Sequence, residues 1–181
     1  MIGAGKKGRS PLELNRFFDR AIRAAFHDLG VTDDAAAEYL AAMLTRFART
    51  EQLFPRGTAV PRLETVVDML LEIQHVWQDD SPDFRPEQEL TVRRHIGDYT
   101  LFMTGLFPER VQRMASMSYY VSEGKRAYRF VSEHERAGGR ARAPYGRLAE
   151  RFEGYMRALD YARRAHFVDP GLHPFFRLHF G

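Results

Sequence analysis

The chain contains no cysteine among its 181 residues. This absence excludes disulfide bonds, thiolate nucleophiles and zinc or iron–sulfur sites built on cysteine, and it leaves histidine, aspartate and glutamate as the metal ligands to consider. The sequence also has no apolar run that approaches the roughly 18 residues of a membrane-spanning helix. Its beginning, MIGAGKKGRS, has basic residues but no apolar stretch behind them that would serve as a signal peptide. We therefore expect a cytoplasmic protein without a membrane partner.

Lysine is scarce, because only Lys6, Lys7 and Lys125 contribute to the 27 basic residues and arginine supplies the rest. An arginine bias of this kind is typical of a GC-rich bacterial genome, so we expect a bacterial protein. The formal net charge is only +3. A small net charge argues against a dedicated nucleic-acid binder, although it leaves room for local basic patches.

The length favours one domain, since ordinary domains run to about 100 to 200 residues each. With 44% hydrophobic residues, the chain has enough apolar side chains for one substantial core. We predict a flexible basic tail over residues 1–9 and a single domain over residues 10–181. The aromatic end of the chain, HPFFRLHF, is expected to fold back on this domain, because exposed it would form a sticky apolar patch.

Hydrophobic periodicity predicts about six helices and no strand, which corresponds to an all-α bundle. The first helix begins in SPLE, where Ser10 and Glu13 form a capping box around Pro11, and it ends at Gly30. The second begins after Thr32, which is expected to cap it. The positions predicted to be buried in these two helices are Leu14, Phe18, Ile22, Ala25 and Leu29, then Ala36, Leu40, Met43, Leu44 and Phe47.

The predicted fourth helix carries the stretch HIGDYTLFMTGLFPER, which begins at His95. From Ile96 to Phe107 it is apolar nearly all round, and this pattern predicts a central, buried helix. Asp98 lies within that run, and a buried carboxylate must be paired, hydrogen-bonded or protonated. Arg94, His95 or an arginine from another helix could pair with it. Gly97 and Gly105 in the same helix indicate that another backbone, or a ligand, approaches closely there.

The predicted fifth helix begins at Pro108, has an expected break near Ser116 to Ser118, and turns Gly124 toward the core. Two tyrosines flank this glycine on the inward face, and their hydroxyl groups need buried partners. If the fourth and fifth helices pack antiparallel, the tyrosine hydroxyls of the fifth helix meet the polar residues at the start of the stretch quoted from the fourth. The candidate ligand-binding residues are therefore His95, Asp98, Tyr99, Tyr120 and Tyr128.

This group of residues has two interpretations. It is either a polar network that fixes the register of the helices, or the lining of a small-molecule or metal pocket. If chemistry occurs there, His95 is the residue for acid–base work or metal ligation, Asp98 orients it, and the tyrosines shape the pocket. The sequence identifies neither a catalytic residue nor a cofactor nor a metal.

Glu72 and His75 have the i, i+3 spacing with which carboxylate-bridged di-iron bundles hold one metal. Both residues lie opposite the apolar stripe of the predicted third helix, which includes Leu63, Leu70 and Trp77. The chain has no second Glu-x-x-His, which such a site requires. We therefore expect both side chains to be solvated.

A basic connection, ERAGGRARAPYGR, gives a third interpretation. Its arginines could contact phosphates and Tyr145 could stack on a base, but no nucleic-acid-binding motif accompanies them. A solvated loop is the commoner outcome for such a sequence. The candidate nucleic-acid residues are Arg136, Arg140, Arg142 and Arg147.

The function that the sequence favours is that of a ligand-binding or protein-assembly module, with a small molecule, a protein or a second copy of the chain as partner. The alternatives are an enzyme with a His/Asp/Tyr pocket between the fourth and fifth helices, with or without a metal, and a weak nucleic-acid binder that uses the arginine loop. Nucleic acid is the least expected partner because the net charge is small.

Overall fold

A computed structural model of the chain describes residues 10–48, 70–71, 86–139 and 144–167. Those residues form seven helices and no strand, which confirms the all-α prediction. The helices are α1 (Pro11–Asp28), α2 (Asp34–Phe47), α3 (Pro86–Leu106), α4 (Pro108–Met114), α5 (Met117–Ala137), α6 (Tyr145–Glu150) and α7 (Phe152–Ala165). The predicted fourth helix is α3, the predicted fifth is divided into α4 and α5, and the predicted third lies mostly outside the described residues.

The hairpin of α1 and α2 follows from its caps. The amide of Ser10 donates to the Glu13 carboxylate at 2.8 Å and the amide of Glu13 donates to the Ser10 hydroxyl at 3.3 Å, so the predicted capping box is present. Gly30 has a φ of 66°, which makes the turn. Two details of the prediction were wrong. The cap of α2 is Asp33 rather than Thr32, and Leu29 is 44% exposed because α1 has already ended at Asp28.

Helix α3 lies at the centre of the described bundle. Every residue from Ile96 to Leu106 is buried, so the prediction of a central helix is confirmed. It contacts α5 and α7 extensively. Gly97 lies opposite Tyr128 and Thr100 lies opposite Gly124, so α3 and α5 run antiparallel, as expected. Buried hydrophobic side chains from all seven helices join in one core cluster.

Glycines allow these helices to approach closely. A Cβ atom on Gly97 would lie 2.6 Å from the Tyr128 ring, and one on Gly105 would lie 2.7 Å from Leu159. A close approach is therefore present at both glycines, but side chains of α5 and α7, rather than a backbone or a ligand, occupy the space. Gly124 faces the core as expected, with Tyr128 on the same buried face.

Candidate functional site

The carboxylate of Asp98 is the centre of a buried polar cluster. The side chain is only 5% exposed. Its Oδ1 accepts hydrogen bonds from the hydroxyls of Tyr39 at 2.6 Å and Tyr128 at 2.8 Å, and its Oδ2 accepts one from the guanidinium of Arg46 at 2.7 Å. We call these four residues the Asp98 cluster. The cluster joins α3 to α2 and α5. Three partners had been expected for the carboxylate, and the one that pairs with it is an arginine from another helix.

The second helix positions two of these groups. Tyr39 and Arg46 are seven residues apart on α2, so they lie on the same side, two turns from each other. Arg46 stands 5.8 Å from the centre of the Tyr39 ring, and its side chain remains 41% exposed. The cluster therefore reaches solvent through Arg46. Sequence reasoning missed both residues, because their spacing on α2 does not show that they lie opposite Asp98.

Electrostatics keeps the two phenols of the cluster protonated. Burial raises the pKa of Tyr39 and of Tyr128 well above the ordinary value of 10.0, and the negative charge of Asp98 raises both further. Burial by itself lowers the pKa of Arg46, but Asp98 outweighs that effect and the pKa of Arg46 is raised. Both tyrosines therefore act as neutral donors to the Asp98 carboxylate, and Arg46 is the cation of the cluster.

The remaining predicted site residues form an aromatic row beside the cluster. The half-buried His95 ring lies 5.9 Å from Phe47, edge to face, and 6.3 Å from Tyr99 in a stacked arrangement. Tyr99 in turn lies 6.4 Å from Tyr120. The structure thus brings all five predicted residues to the contact of α3 and α5, but Tyr128 is the one among them that hydrogen-bonds to Asp98 through its hydroxyl.

Tyr145, from α6, covers the cluster. Its ring lies 5.4 Å from Tyr39 and 6.0 Å from Tyr128. The residue is only 4% exposed. The expectation that Tyr145 could stack on a base was wrong, because its ring is buried in the core. The sequence of the loop did not show that burial.

A second polar cluster surrounds Asp33, the cap of α2. Its Oδ1 accepts from the amide of Ala36 at 3.0 Å, and its Oδ2 accepts from Nε of Arg147 at 2.8 Å and from the hydroxyl of Tyr155 at 2.7 Å. One predicted nucleic-acid residue, Arg147, is therefore engaged in an ion pair that ties α6 to α2. We call Asp33, Ala36, Arg147 and Tyr155 the Asp33 cluster.

Among the other arginines of the basic connection, Arg136 is the one that the structure describes, and it has no comparable ion pair there. Arg136 is exposed at the end of α5. Arg140 and Arg142 lie outside the described residues, as do Glu72, His75, the basic tail and the aromatic end of the chain. The prediction of a nucleic-acid surface in this connection stays a prediction.

The metal and membrane questions are answered for the described residues alone. Within them, no three histidine, aspartate or glutamate side chains are grouped so that they could hold a metal ion. None of the helices in this part of the chain combines the length and the apolar character needed to cross a bilayer. Comparisons with protein-family models, with curated proteins and with solved structures found no match to this chain.

Proposed function

We propose that the protein is a binding module for a small ligand or a protein partner, and that the Asp98 cluster locks its helices rather than performing chemistry. The observation that carries this proposal is the engagement of the Asp98 carboxylate by three strong donors. A carboxylate offers about four lone-pair sites, of which three are used here. It is therefore poorly placed to take a proton from a substrate or to orient His95.

The partners of Asp98 also support the role of a lock. Tyr39 and Arg46 come from α2 and Tyr128 comes from α5, so one side chain of α3 sets the position of two other helices. A fully satisfied buried network of this kind rigidifies a core and specifies one arrangement. A rigid scaffold is what a binding surface needs, because it holds contact groups in place before the partner arrives.

Substitution Asp98→Asn tests the lock. We expect a loss of about 1 to 3 kcal/mol in the free energy of unfolding, because an amide cannot replace a carboxylate in the ion pair with Arg46. Urea unfolding followed by circular dichroism measures it. Asp19→Asn is the matched control, since Asp19 pairs with Arg23 at the surface of α1; we expect it to stay within about 0.5 kcal/mol of wild type.

The opposite result would make the cluster an active centre. Sites often trade stability for function, so a variant Asp98→Asn that melts at or above the wild-type temperature would contradict the lock. Loss of a co-purifying small molecule or metal in that same stable variant would move the proposal to an enzyme.

Native mass spectrometry tests the binding function directly. We expect the purified wild-type protein to carry a small-molecule adduct, or to assemble into a stable homo-oligomer. A bare monomer that also gains no mass from the small-molecule fraction of a bacterial extract would contradict the proposal.

A further inference from the structure

A groove of about 350 Å³ lies where the end of α3 and the start of α5 meet α7. This volume is near the lower end of the range of about 300 to 1,000 Å³ that small-molecule sites occupy. Pro108, Met117 and Met156 give the groove an apolar side. Methionine side chains adapt to irregular shapes, so this side suits the carbon skeleton of a small ligand.

Arginines give the same groove an excess of positive charge. Arg163 and Arg164 share a single carboxylate, that of Asp160, at 2.7 Å each. Arg157 also lines the groove and has no hydrogen-bonded partner among the described residues. Glu109 also lines the groove, so the lining contains two acidic residues and three arginines. The lining therefore has one positive charge that its own acids do not balance.

One of these arginines, Arg163, has a nitrogen without a hydrogen-bond partner among the described residues. The Nε of Arg163 is buried and, within the described part of the chain, has no hydrogen-bond partner. A buried donor without a partner is unfavourable, and the Arg163 guanidinium would gain if a bound anion drew it to a position in which Nε has one. Because Asp160 already holds another nitrogen of the same guanidinium at 2.7 Å, the group is oriented before any ligand binds.

We propose that this groove binds a small organic carboxylate, with its carboxylate on Arg163 and Arg157 and its apolar body against Met117 and Met156. The proposal rests on the proposed binding function, and it adds a site and a chemical class of ligand. The excess of one positive charge matches a monoanion better than a doubly charged phosphate ester. The ligand is thus an amphipathic acid rather than a nucleotide.

Isothermal titration with octanoate and with octanamide tests this proposal. The two probes have nearly the same shape and differ in charge. We expect octanoate to bind the wild-type protein and octanamide to bind at least about tenfold more weakly, a difference of about 1.4 kcal/mol. Both Arg163→Gln and Arg157→Gln should weaken octanoate about tenfold, and the exposed Arg157 provides this result even if Arg163→Gln folds poorly.

The matched control is Arg129→Gln. Arg129 is exposed on the outward face of α5, has no ion-pair partner among the described residues, and carries the same charge without lining this groove. We expect the control to bind octanoate within about twofold of wild type, a difference below about 0.5 kcal/mol. Equal weakening by Arg129→Gln, or equal affinity for octanamide, would overturn the proposal.

The experiments distinguish an error in the groove proposal from an error in the proposed binding function. If octanoate does not bind but native mass spectrometry shows another adduct or a stable oligomer, the groove proposal is wrong and the binding function stands. If neither experiment shows binding, both are wrong.

Discussion

The carboxylates of Asp98 and Asp33 are stabilised by the same kinds of hydrogen-bond donor. Each accepts from a tyrosine hydroxyl and from an arginine that remains partly exposed. Burying an unpaired carboxylate costs several kcal/mol, and a neutral hydroxyl offsets part of that cost without bringing a second charge out of water. The half-exposed arginine keeps much of its own hydration. This combination explains how both acids lie inside an otherwise apolar bundle.

The pH dependence of stability tests the Asp33 cluster. Burial alone raises the pKa of Asp33, but hydrogen bonds from Tyr155, from the Ala36 amide and from Arg147 outweigh it and hold the pKa below its ordinary value of 3.8. A depressed carboxyl pKa stabilises the fold fully above the unfolded value, and the contribution is lost as the pH falls through the folded value. At neutral pH we expect Asp33→Asn to cost about 1 kcal/mol or more, and the difference from wild type to shrink below about pH 3.8.

Urea unfolding of both proteins across a series of pH values measures this difference. Tyr155→Phe is a useful companion, because it keeps the Asp33 carboxylate and removes one of its donors. We expect this companion to show a weaker acid dependence than wild type. A cost of Asp33→Asn that is the same in acid as at neutral pH would contradict the ion pair.

The contact of α5 with α3 and α7 depends on a glycine, and two glycine substitutions of opposite expected sign test it. A Cβ atom on Gly124 would lie 2.7 Å from the Phe152 ring, so Gly124→Ala should overpack the contact and cost about 1 to 3 kcal/mol. A Cβ atom on Gly154, in α7, would meet nothing within 4 Å. Gly154→Ala should therefore be neutral or stabilise the protein by up to about 1 kcal/mol, because alanine favours a helix.

Thermal unfolding of the two variants beside wild type gives the answer. Since both changes add the same methyl group to a helical glycine, intrinsic helix propensity affects them alike. Equal shifts of the two melting temperatures would show that Gly124 does not face its neighbours as described.

Individual helices were predictable where the signal is local. The capping box at Ser10 and Glu13, the apolar run that begins at Ile96 and the inward face around Gly124 all depend on neighbouring residues in the sequence. The break at Arg151, between α6 and α7, carries no glycine or proline and was not predicted. Helix α6 packs against α5, and no local pattern in the sequence shows that contact.

The site was predictable only in part for the same reason. The buried position of Asp98 followed from the apolar residues around it, and Tyr128 followed from the face of its own helix. Tyr39 and Arg46 are 59 and 52 residues from Asp98, so no local pattern linked them to it. Periodicity shows which face of a helix is buried, but it does not show which residue of another helix lies opposite.

At the scale of the molecule, the two polar clusters attach the N-terminal hairpin to the rest of the bundle. The Asp98 cluster connects α2 to α3 and α5, and the Asp33 cluster connects it to α6 and α7. Helix α1 packs against α2 and α7. The arrangement predicts that the described helices unfold together, because loss of either cluster releases contacts in both halves of the sequence.

Alkaline unfolding tests this coupling. Burial raises the pKa of Tyr39, Tyr128 and Tyr155 above the ordinary value of 10.0, and nearby carboxylates add to the effect. A raised pKa stabilises the fold fully below the unfolded value, and this contribution is lost as the pH rises through the folded value. We therefore expect the free energy of unfolding to fall above about pH 10, with phenolate absorbance of these tyrosines appearing together with loss of helix.

Absorbance and circular dichroism recorded in one titration measure both events. Tyr128→Phe should be less stable than wild type at neutral pH and should lose stability less steeply in alkali, since it has one fewer buried phenol. Full ionisation of the tyrosines while the helices remain intact would contradict the coupling.

The long span of the Asp33 cluster also has a consequence for synthesis of the protein on the ribosome. Asp33 precedes Arg147 by 114 residues and Tyr155 by 122 residues. At translation rates of about 5 to 20 residues per second, roughly 6 to 24 seconds pass before these partners exist. Throughout that interval the newly made hairpin of α1 and α2 has no α7 to cover its apolar face, so we expect the nascent chain to be a substrate for chaperones until its last helices emerge.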